Sequence, residues 1–290
     1  MRFTLSSLAI LAVAVGYVAA DSTQRRSLNP HLSNVRHVDF ENLPAAPAPE
    51  TNAKRMAQGL PPMKPRSRKR RSGDVLKRGT PVGSAHRSRS SPSVPVKKSC
   101  NILVKSAAKT YGYLYKSFDD IGEYGRFESS QTADALVVTF NYVAGSDAPV
   151  DLYATNGKSA AYPYVGAVSQ YDGSDYNLAA GSSAFVNVGA TKQAPAGSPP
   201  VEGDTAFSDA TRSGSKYESA IWYYDAMTNQ IRAQWINPGG SGPATHLVHG
   251  VDGDADLILL TGDPSAVQRD YAGDYPEVTF TCVAPISTPV

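Results

Sequence analysis

The chain has 290 residues, 41% of them hydrophobic, and 28 Lys and Arg against 26 Asp and Glu, so its formal charge is only +2. This length can bury one sizeable core. With only two cysteines, the chain is expected to contain neither a CxxC redox pair nor a cysteine-based zinc site.

The charges are divided unevenly along the chain. Up to Lys98 there are 18 Lys and Arg against 5 Asp and Glu, whereas the rest of the chain carries 10 against 21. A basic front therefore precedes an acidic back. We interpret residues 21–98 as a basic pro-segment and residues 99–290 as the folded acidic domain.

Residues 1–20 have the pattern of a secretory signal peptide. Arg2 supplies positive charge, residues 5–15 are mostly apolar, and the small residues VAA end the segment. A membrane anchor would need about 20 apolar residues, and this run is shorter and interrupted by serines. The pattern predicts a secreted, extracellular protein that has no membrane association once the signal is removed.

Residues 21–98 are rich in Pro, Ser and Arg, and Phe40 is their one aromatic residue. Such a composition buries too little apolar surface to offset the entropy of ordering, so we expect a disordered pro-segment. Basic pairs in it would be cut by a kexin-type processing protease. Lys77-Arg78 is the best candidate, because a cut there leaves the folded part intact; the others are Lys54-Arg55 and Arg70-Arg71.

The basic pro-segment of residues 21–98, which we call the leader, has two further interpretations. Its run RSRKRR is typical of nucleic-acid binding, but the signal peptide and the absence of neighbouring aromatic residues argue against a nucleic-acid partner. The leader could instead pair with the acidic domain until it is cut, in a salt-sensitive manner. The sequence favours a solvated pro-segment without a partner over this second interpretation.

The domain is predicted to be all-β, a single antiparallel β-sandwich of the jelly-roll or lectin-like kind. Short runs rich in β-branched and aromatic residues alternate with Gly, Pro, Asn, Asp and Ser. One helical turn is expected over residues 265–271 and a long loop over residues 191–209. The predicted strands are residues 101–106, 111–116, 135–143, 150–154, 184–189, 219–224, 230–235, 246–249, 257–261 and 278–283.

Cys100 begins the domain and Cys282 lies near its end. In an oxidising compartment two thiols placed in this way are expected to form one disulfide that holds the first and last strands side by side. The alternative is two buried free thiols.

Tyrosines are concentrated in the domain, and five of them are candidate ligand-binding residues. Tyr111, Tyr113 and Tyr115 alternate on one strand and so share a face, and Tyr162 and Tyr164 repeat this spacing. Exposed aromatic platforms stack on sugar rings. The alternative is cross-strand packing with each hydroxyl at the surface.

A stretch of histidine and aspartate invites a metal interpretation. His246 and His249 are three residues apart, so on a strand they face opposite sides and cannot ligate one ion without a bend. Asp252, Asp254 and Asp256 begin like a calcium loop, but the glycine and glutamate of an EF-hand are missing. We expect a turn here and no metal, and leave calcium open.

Signs of catalysis are few. No G-x-S-x-G elbow is present, and no glycine loop has the spacing that cradles phosphates. Paired carboxylates of the kind that glycosidases use are Glu123 with Glu128 and Glu218 with Asp225. We assign no catalytic residue and no cofactor.

The motifs SCNILVK, GEYGRF, SAIWYYDAMTNQIRAQWINPGG and LLTGD follow the signal and the dibasic segment. In this order they resemble uncharacterised secreted proteins of mushroom-forming fungi. The resemblance implies secretion and processing, and it carries no assigned activity and no site residues.

These observations favour a secreted, processed, non-enzymatic binding or surface protein whose partner is an extracellular polysaccharide of a cell wall. Two alternatives remain open. One is a glycoside-acting enzyme with two carboxylates in a cleft, and the other is a matrix protein without a small ligand.

Overall fold

The computed structural model describes residues 27–30, 32–45, 94–170, 175–271 and 273–286. Strands dominate this part of the chain, accompanied by a 3₁₀ turn at Leu32–Asn34 and two short helices, α1 (Ala206–Thr211) and α2 (Pro264–Tyr271). The strands are β1 (Val96–Ser106), β2 (Thr110–Leu114), β3 (Phe127–Glu128), β4 (Val137–Tyr142), β5 (Leu152–Ala154), β6 (Tyr164–Val168), β7 (Phe185–Thr191), β8 (Val201–Glu202), β9 (Lys216–Glu218), β10 (Trp222–Tyr224), β11 (Gln230–Ala233), β12 (His246–Asp252), β13 (Ala255–Thr261) and β14 (Val278–Val283).

The described strands form one antiparallel sheet. Its order is β10-β11-β14-β1-β4-β5-β6-β7-β13-β12, with β2 and β3 attached at β1, and β9 and β8 attached at β6. An isolated bridge between Val248 of β12 and Glu277, just before β14, shows that the sheet curls back on itself. The all-β prediction is confirmed. The sandwich is not, because hydrogen bonds link all the described strands into a single curled sheet.

The predicted strands all overlap strands of the structure, and the predicted helical turn coincides with α2. The prediction of a loop over residues 191–209 is wrong in part, since β8 and the start of α1 lie within it. α1 begins there because the Thr205 hydroxyl accepts a hydrogen bond from the Ser208 N–H, while the Ser208 side chain reaches back to the Thr205 N–H.

Two tryptophans anchor the core. Trp222 and Trp235 are both fully buried, and the Trp222 ring stacks on Phe280 at a centroid distance of 5.7 Å. Each indole N–H has a backbone carbonyl as acceptor, Val165 for Trp222 and Tyr176 for Trp235. These bonds remove the cost of burying an indole donor in an apolar interior.

The Cys100–Cys282 disulfide is confirmed, and it connects β1 to β14. The two Cα atoms are 5.3 Å apart, and Cys282 pairs with Ile102, two residues from its bonded partner. Cross-linking neighbouring strands from opposite ends of the domain closes a loop of 182 residues. The described domain is therefore tied together at the strand pair that joins its first and last strands.

Candidate functional site

The three tyrosines around β2 lie on one side of the strand, as their spacing predicts. Gly112 and Leu114 between them are buried, whereas Tyr111, Tyr113 and Tyr115 are only half-buried. They do not form an open platform, however, because neighbouring side chains cover two of the rings. Tyr111 packs against Phe127 and His249, with Lys109 above the ring, and Arg126 lies 4.8 Å from the ring centre of Tyr115.

The structure separates Tyr162 from Tyr164. Tyr162 is buried, and its hydroxyl donates a hydrogen bond of 2.5 Å to Asp209. Burial is also the main reason that the pKa of Tyr162 is raised, and Asp209 adds to the shift. Tyr164 instead makes an edge-to-face contact with Tyr153, at a centroid distance of 5.5 Å. Tyr153, which no sequence pattern singles out, is 43% exposed.

Polar groups accompany this tyrosine pair. The Asp151 carboxylate accepts hydrogen bonds from the Gln193 amide, at 2.7 Å, and from the Ser219 hydroxyl, at 2.6 Å. Burial raises the pKa of Tyr164, and the charges of Asp151 and Tyr153 add to the shift. An exposed aromatic ring beside hydrogen-bonding side chains is the arrangement that sugar recognition uses.

A second candidate site lies where the basic leader meets the domain. The composition of the leader predicts a solvated segment, yet residues 27–30 and 32–45 pack against the domain at two anchor points. Leu28 and Phe40 are each 1% exposed. Between the anchors is a cleft of about 660 Å³, lined by Pro30, residues 33–36 and residues 211–213. The signal peptide and the dibasic pairs, including Lys77 and Arg78, lie outside the described residues.

The Phe40 anchor belongs to the main core. The Phe40 ring meets Phe118 edge-on at 5.0 Å and Tyr162 at 6.4 Å, and the Lys158 ammonium is 5.6 Å from its centre. The leader is basic overall, yet it buries its one aromatic ring among apolar side chains. The physical reason is the hydrophobic effect: removing a whole phenyl ring from water stabilises the docked state by about 2–3 kcal/mol.

An ionic contact accompanies this anchor. Arg36 of the leader forms an ion pair of 3.8 Å with the Asp209 carboxylate, and its Nε also donates to the Asp209 backbone carbonyl. The Arg36 backbone N–H donates to the carbonyl of Ala210 at 2.8 Å. The described residues of the leader therefore pack on the acidic domain, through apolar, ionic and backbone contacts together. This is the second interpretation of the leader given by the sequence.

The Leu28 anchor is held chiefly through its main chain. The Gln170 side-chain amide donates to the Leu28 carbonyl, and the N–H of Asn29 donates to the Asp252 carboxylate at 2.8 Å. The Ser27 hydroxyl donates to the same carboxylate oxygen at 2.7 Å. The Leu28 side chain enters a satellite core cluster formed by Phe185, Val248, Leu257, Leu259, Val267 and Tyr275.

A buried carboxyl group lies beneath this segment. Glu123 is 3% exposed, and one of its oxygens accepts a hydrogen bond from the Asn187 amide. Burial raises the pKa of Glu123 well above its usual range, the Asp119 charge adds to the shift, and the amides of Asn187 and Asn29 oppose it. Burial likewise raises the pKa of Asp119 to about 6, against backbone hydrogen bonds that lower it. Burial therefore favours the protonated form of Glu123, in which the carboxyl group can donate a hydrogen bond.

Three buried side-chain atoms in the described chain lack a hydrogen-bond partner. Glu123 Oε2 and Asn187 Oδ1 belong to this region, whereas the Tyr124 hydroxyl lies in the main core, close to Gly157. Leaving a buried polar atom unpaired costs about 1–3 kcal/mol. The two unpaired atoms beside residues 27–30 mark a region whose polar groups are only partly used. We call Glu123, Gln170, Asn187, Gly250 and Asp252, together with the Leu28 cluster, the leader groove.

The motif GEYG explains why Glu123 is fixed here. Gly122 has a φ of +88°, and a Cβ on it would lie 2.5 Å from the Cβ of Ala206. A Cβ on Gly125 would lie only 1.8 Å from the Asp256 carbonyl oxygen. Only glycine fits at both positions, so the backbone around Glu123 packs directly against α1 at Gly122 and against β13 at Gly125. The two glycines are therefore the feature of the sequence that could have indicated this site. The acidic residues alone suggest Glu123 only as a partner of Glu128 in a catalytic carboxylate pair.

The histidines and aspartates of the metal hypothesis are engaged elsewhere. His246 pairs with Glu277, whereas the buried His249 contacts Asp256 at 2.7 Å. Asp252 binds the leader, and the turn between β12 and β13 follows it. Within the described residues, no group of three or more His, Cys, Asp or Glu side chains is arranged to hold a metal ion.

In each carboxylate pair considered for a glycosidase, the two members lie in different surroundings. Glu218 is buried, and its carboxyl accepts a hydrogen bond from the Ile236 N–H. Asp225 is part of the turn after β10, where it accepts hydrogen bonds from the Met227 N–H and the Thr228 hydroxyl. Glu123 is buried beneath the leader, and Glu128 lies on β3.

No family model, no curated protein and no solved structure matches this chain. Among the described residues, no helix is long and apolar enough to cross a membrane.

Proposed function

We propose that this chain is the precursor of a secreted binding protein, and that its own leader fills the binding groove until the precursor is cut. The signal-peptide pattern and the dibasic pairs of the sequence support secretion and processing. The folded part acts by binding and not by catalysis.

One observation carries the proposal: residues 27–30 lie in the leader groove in the way that a ligand does. Leu28 is buried, its carbonyl is bound by Gln170, and the next N–H is bound by Asp252. These contacts join positions more than 140 residues apart in the sequence. Beside this segment the groove also keeps two buried polar atoms, Glu123 Oε2 and Asn187 Oδ1, that its present occupant does not pair.

Proteolytic processing lowers the effective concentration of the leader at the groove and leaves the contacts between them unchanged. In the uncut chain the covalent connection through residues 46–93 tethers the leader to the domain, and tethering maintains an effective concentration of the order of millimolar. A cut at Lys77-Arg78 removes the tether, and dilution outside the cell then favours dissociation. The ion pair of Arg36 with Asp209 makes this dissociation sensitive to salt.

The test is to treat purified full-length protein with a dibasic-specific protease and pass it through gel filtration at low and high salt. We expect the leader fragment to separate from the domain at nanomolar concentration, more completely at high salt. A variant with alanine at Arg25-Arg26, Lys54-Arg55, Arg68–Arg71 and Lys77-Arg78 serves as the control in which the leader stays joined to the domain. A leader fragment that stays with the domain through dilution and high salt would make it a permanent structural element and overturn the proposal.

The tyrosine pair favours a second function, binding of a cell-wall polysaccharide at Tyr153 and Tyr164. The exposed Tyr153 ring and the Asp151 and Gln193 side chains support it. The test is retention of the protein on insoluble chitin, β-glucan and cellulose, compared with Tyr153→Ala and with Tyr113→Ala as the matched control. Retention lost in the first variant and kept in the second supports this site, and equal behaviour of all three proteins contradicts it.

A further inference from the structure

We infer that the leader groove is a site for an extended polypeptide segment, with one apolar side chain in the Leu28 pocket and a polar side chain at the next residue. This inference rests on the proposed function, since the groove must first lose its leader, and it adds the chemical class of the ligand. Three features of the groove support it, and each is independent of the leader's particular sequence.

The first feature is recognition of the main chain. Gln170 binds a peptide carbonyl and Asp252 binds the N–H of the following residue, so a donor and an acceptor of the groove meet the two polar groups of one peptide unit. Every polypeptide except one with proline at the second position offers this pair. A polysaccharide without acetamido groups, such as cellulose or a β-glucan, has no such N–H and C=O pair, so the pairing favours a peptide ligand over these polymers.

The second feature is a pocket shaped for one apolar side chain. A Cβ on Gly250 would lie 3.3 Å from Leu28 Cδ1 and 3.0 Å from the Tyr275 ring. The absence of a side chain at Gly250 therefore leaves room for the leucine. Since Leu28 is almost completely removed from water in this pocket, we expect the pocket to select aliphatic side chains of similar size.

The third feature is a set of unused polar atoms beside Asn29. Glu123 Oε2 and Asn187 Oδ1 are buried and unpaired, while the Asn187 amide only reaches the Asn29 oxygen at 3.5 Å. In its protonated form, which burial favours, Glu123 can donate a hydrogen bond, and Asn187 Oδ1 can accept one. The Asn29 side chain carries both a donor and an acceptor, yet neither unpaired atom has a hydrogen bond within normal distance in this geometry. A second side chain of different length or shape is therefore expected to use these two atoms better than Asn29 does.

The test uses the full-length chain lacking residues 27–30, which keeps Phe40 and opens the groove without any proteolytic cut. The probe is a fluorescein-labelled peptide of residues 24–31, QRRSLNPH, followed by fluorescence anisotropy. We expect the probe to bind this variant and to be excluded from the intact chain. No binding to a deletion variant that remains folded by circular dichroism would overturn the inference.

Matched probes and variants locate the binding. A peptide with Leu28→Asn keeps the charge and is expected to bind roughly 10- to 100-fold more weakly, the effect of losing one buried aliphatic side chain. Gly250→Ala in the deletion background narrows the pocket and should weaken binding of the unchanged peptide. Gly239→Ala, in an exposed loop with open space around the added Cβ, is the control and should leave binding unchanged. Equal affinity for both peptides would mean that charge attraction alone causes the binding, and it would contradict the proposal that the pocket selects an aliphatic side chain.

The deletion experiment and the processing experiment fail in different ways. If the cut leader never leaves the domain but the deletion variant binds the probe, the proposed function fails and the groove remains a peptide site. If the cut leader leaves and the probe does not bind the opened groove, the proposed latency stands and the peptide class is wrong.

Discussion

Phe40 packs edge-on against Phe118 at a ring-centroid distance of 5.0 Å, and this contact joins the basic leader to the main core of the domain. The two residues belong to segments of opposite charge, yet neither is charged itself. Apolar burial therefore provides the anchor, and the charges around it influence how fast and how tightly the leader docks. The leader behaves as part of the folded structure wherever it is described.

We expect Phe40→Ala to lower the free energy of unfolding of the full-length chain by up to about 3–5 kcal/mol, the usual cost of removing a buried phenyl ring. The measurement is urea unfolding of the uncut protein. His37→Ala, at an exposed position of the same segment, is the control and should change little. Equal stability of Phe40→Ala and the unchanged chain would mean that the leader docks without contributing to stability.

We expect Asp252→Ala to loosen residues 27–30 selectively, because one carboxylate oxygen accepts both the Asn29 N–H and the Ser27 hydroxyl. Hydrogen exchange at the Asn29 amide reports the change, which should be about tenfold or more for the loss of a charged acceptor. Asp254→Ala removes the same charge from the neighbouring turn and serves as the control. If both variants accelerate exchange equally, the effect is one of net charge and not of this contact.

Most of the strand positions could be predicted from the sequence, because alternation and β-branched runs are local signals. The short strands β3, β8 and β9 could not, since two or three residues form no periodic pattern. β6 (Tyr164–Val168) was missed for a different reason. Four of its five residues are buried, so it lacks the alternation that reveals a half-exposed strand.

The leader groove could not be predicted from composition. Its parts come from the leader, the GEYG motif, β7, the end of β6 and β12, which only the folded sheet brings together. The leader is basic on average, and an average composition does not show which of its apolar residues, here Leu28 and Phe40, become fully buried. The disulfide could be predicted because the chain has only two cysteines and the signal-peptide pattern indicates an oxidising compartment.

Replacing both cysteines, Cys100→Ser with Cys282→Ser, should lower the free energy of unfolding by about 2–5 kcal/mol. The cross-link closes a long loop, so most of this loss arises from a less restricted unfolded chain. Thermal unfolding of the full-length protein measures it, and the unchanged protein treated with reductant should unfold at nearly the same temperature as the double variant. A double variant as stable as the oxidised protein would contradict this expectation.

The raised pKa of the buried Glu218 carboxyl group predicts how the free energy of unfolding depends on pH. Burial raises its pKa from the ordinary 4.5 to about 8, although the hydrogen bond from the Ile236 N–H opposes the shift. Between pH 4.5 and 8 the folded protein therefore keeps a proton that the unfolded chain has released. The free energy of unfolding then falls as pH rises, by up to about 1.4 kcal/mol per pH unit for one such group.

Glu218→Gln keeps the size of the side chain and cannot ionise, so we expect it to flatten this dependence. Urea unfolding at about pH 5 and about pH 8 should show the variant close to the unchanged protein at the lower pH and more stable at the higher one. Asp225→Asn, at the exposed turn where hydrogen bonds lower the pKa of the carboxylate, is the matched control and should leave the slope between these pH values unaltered. A slope that survives Glu218→Gln undiminished would assign the pH dependence to Asp119 and Glu123, whose pKa values burial also raises.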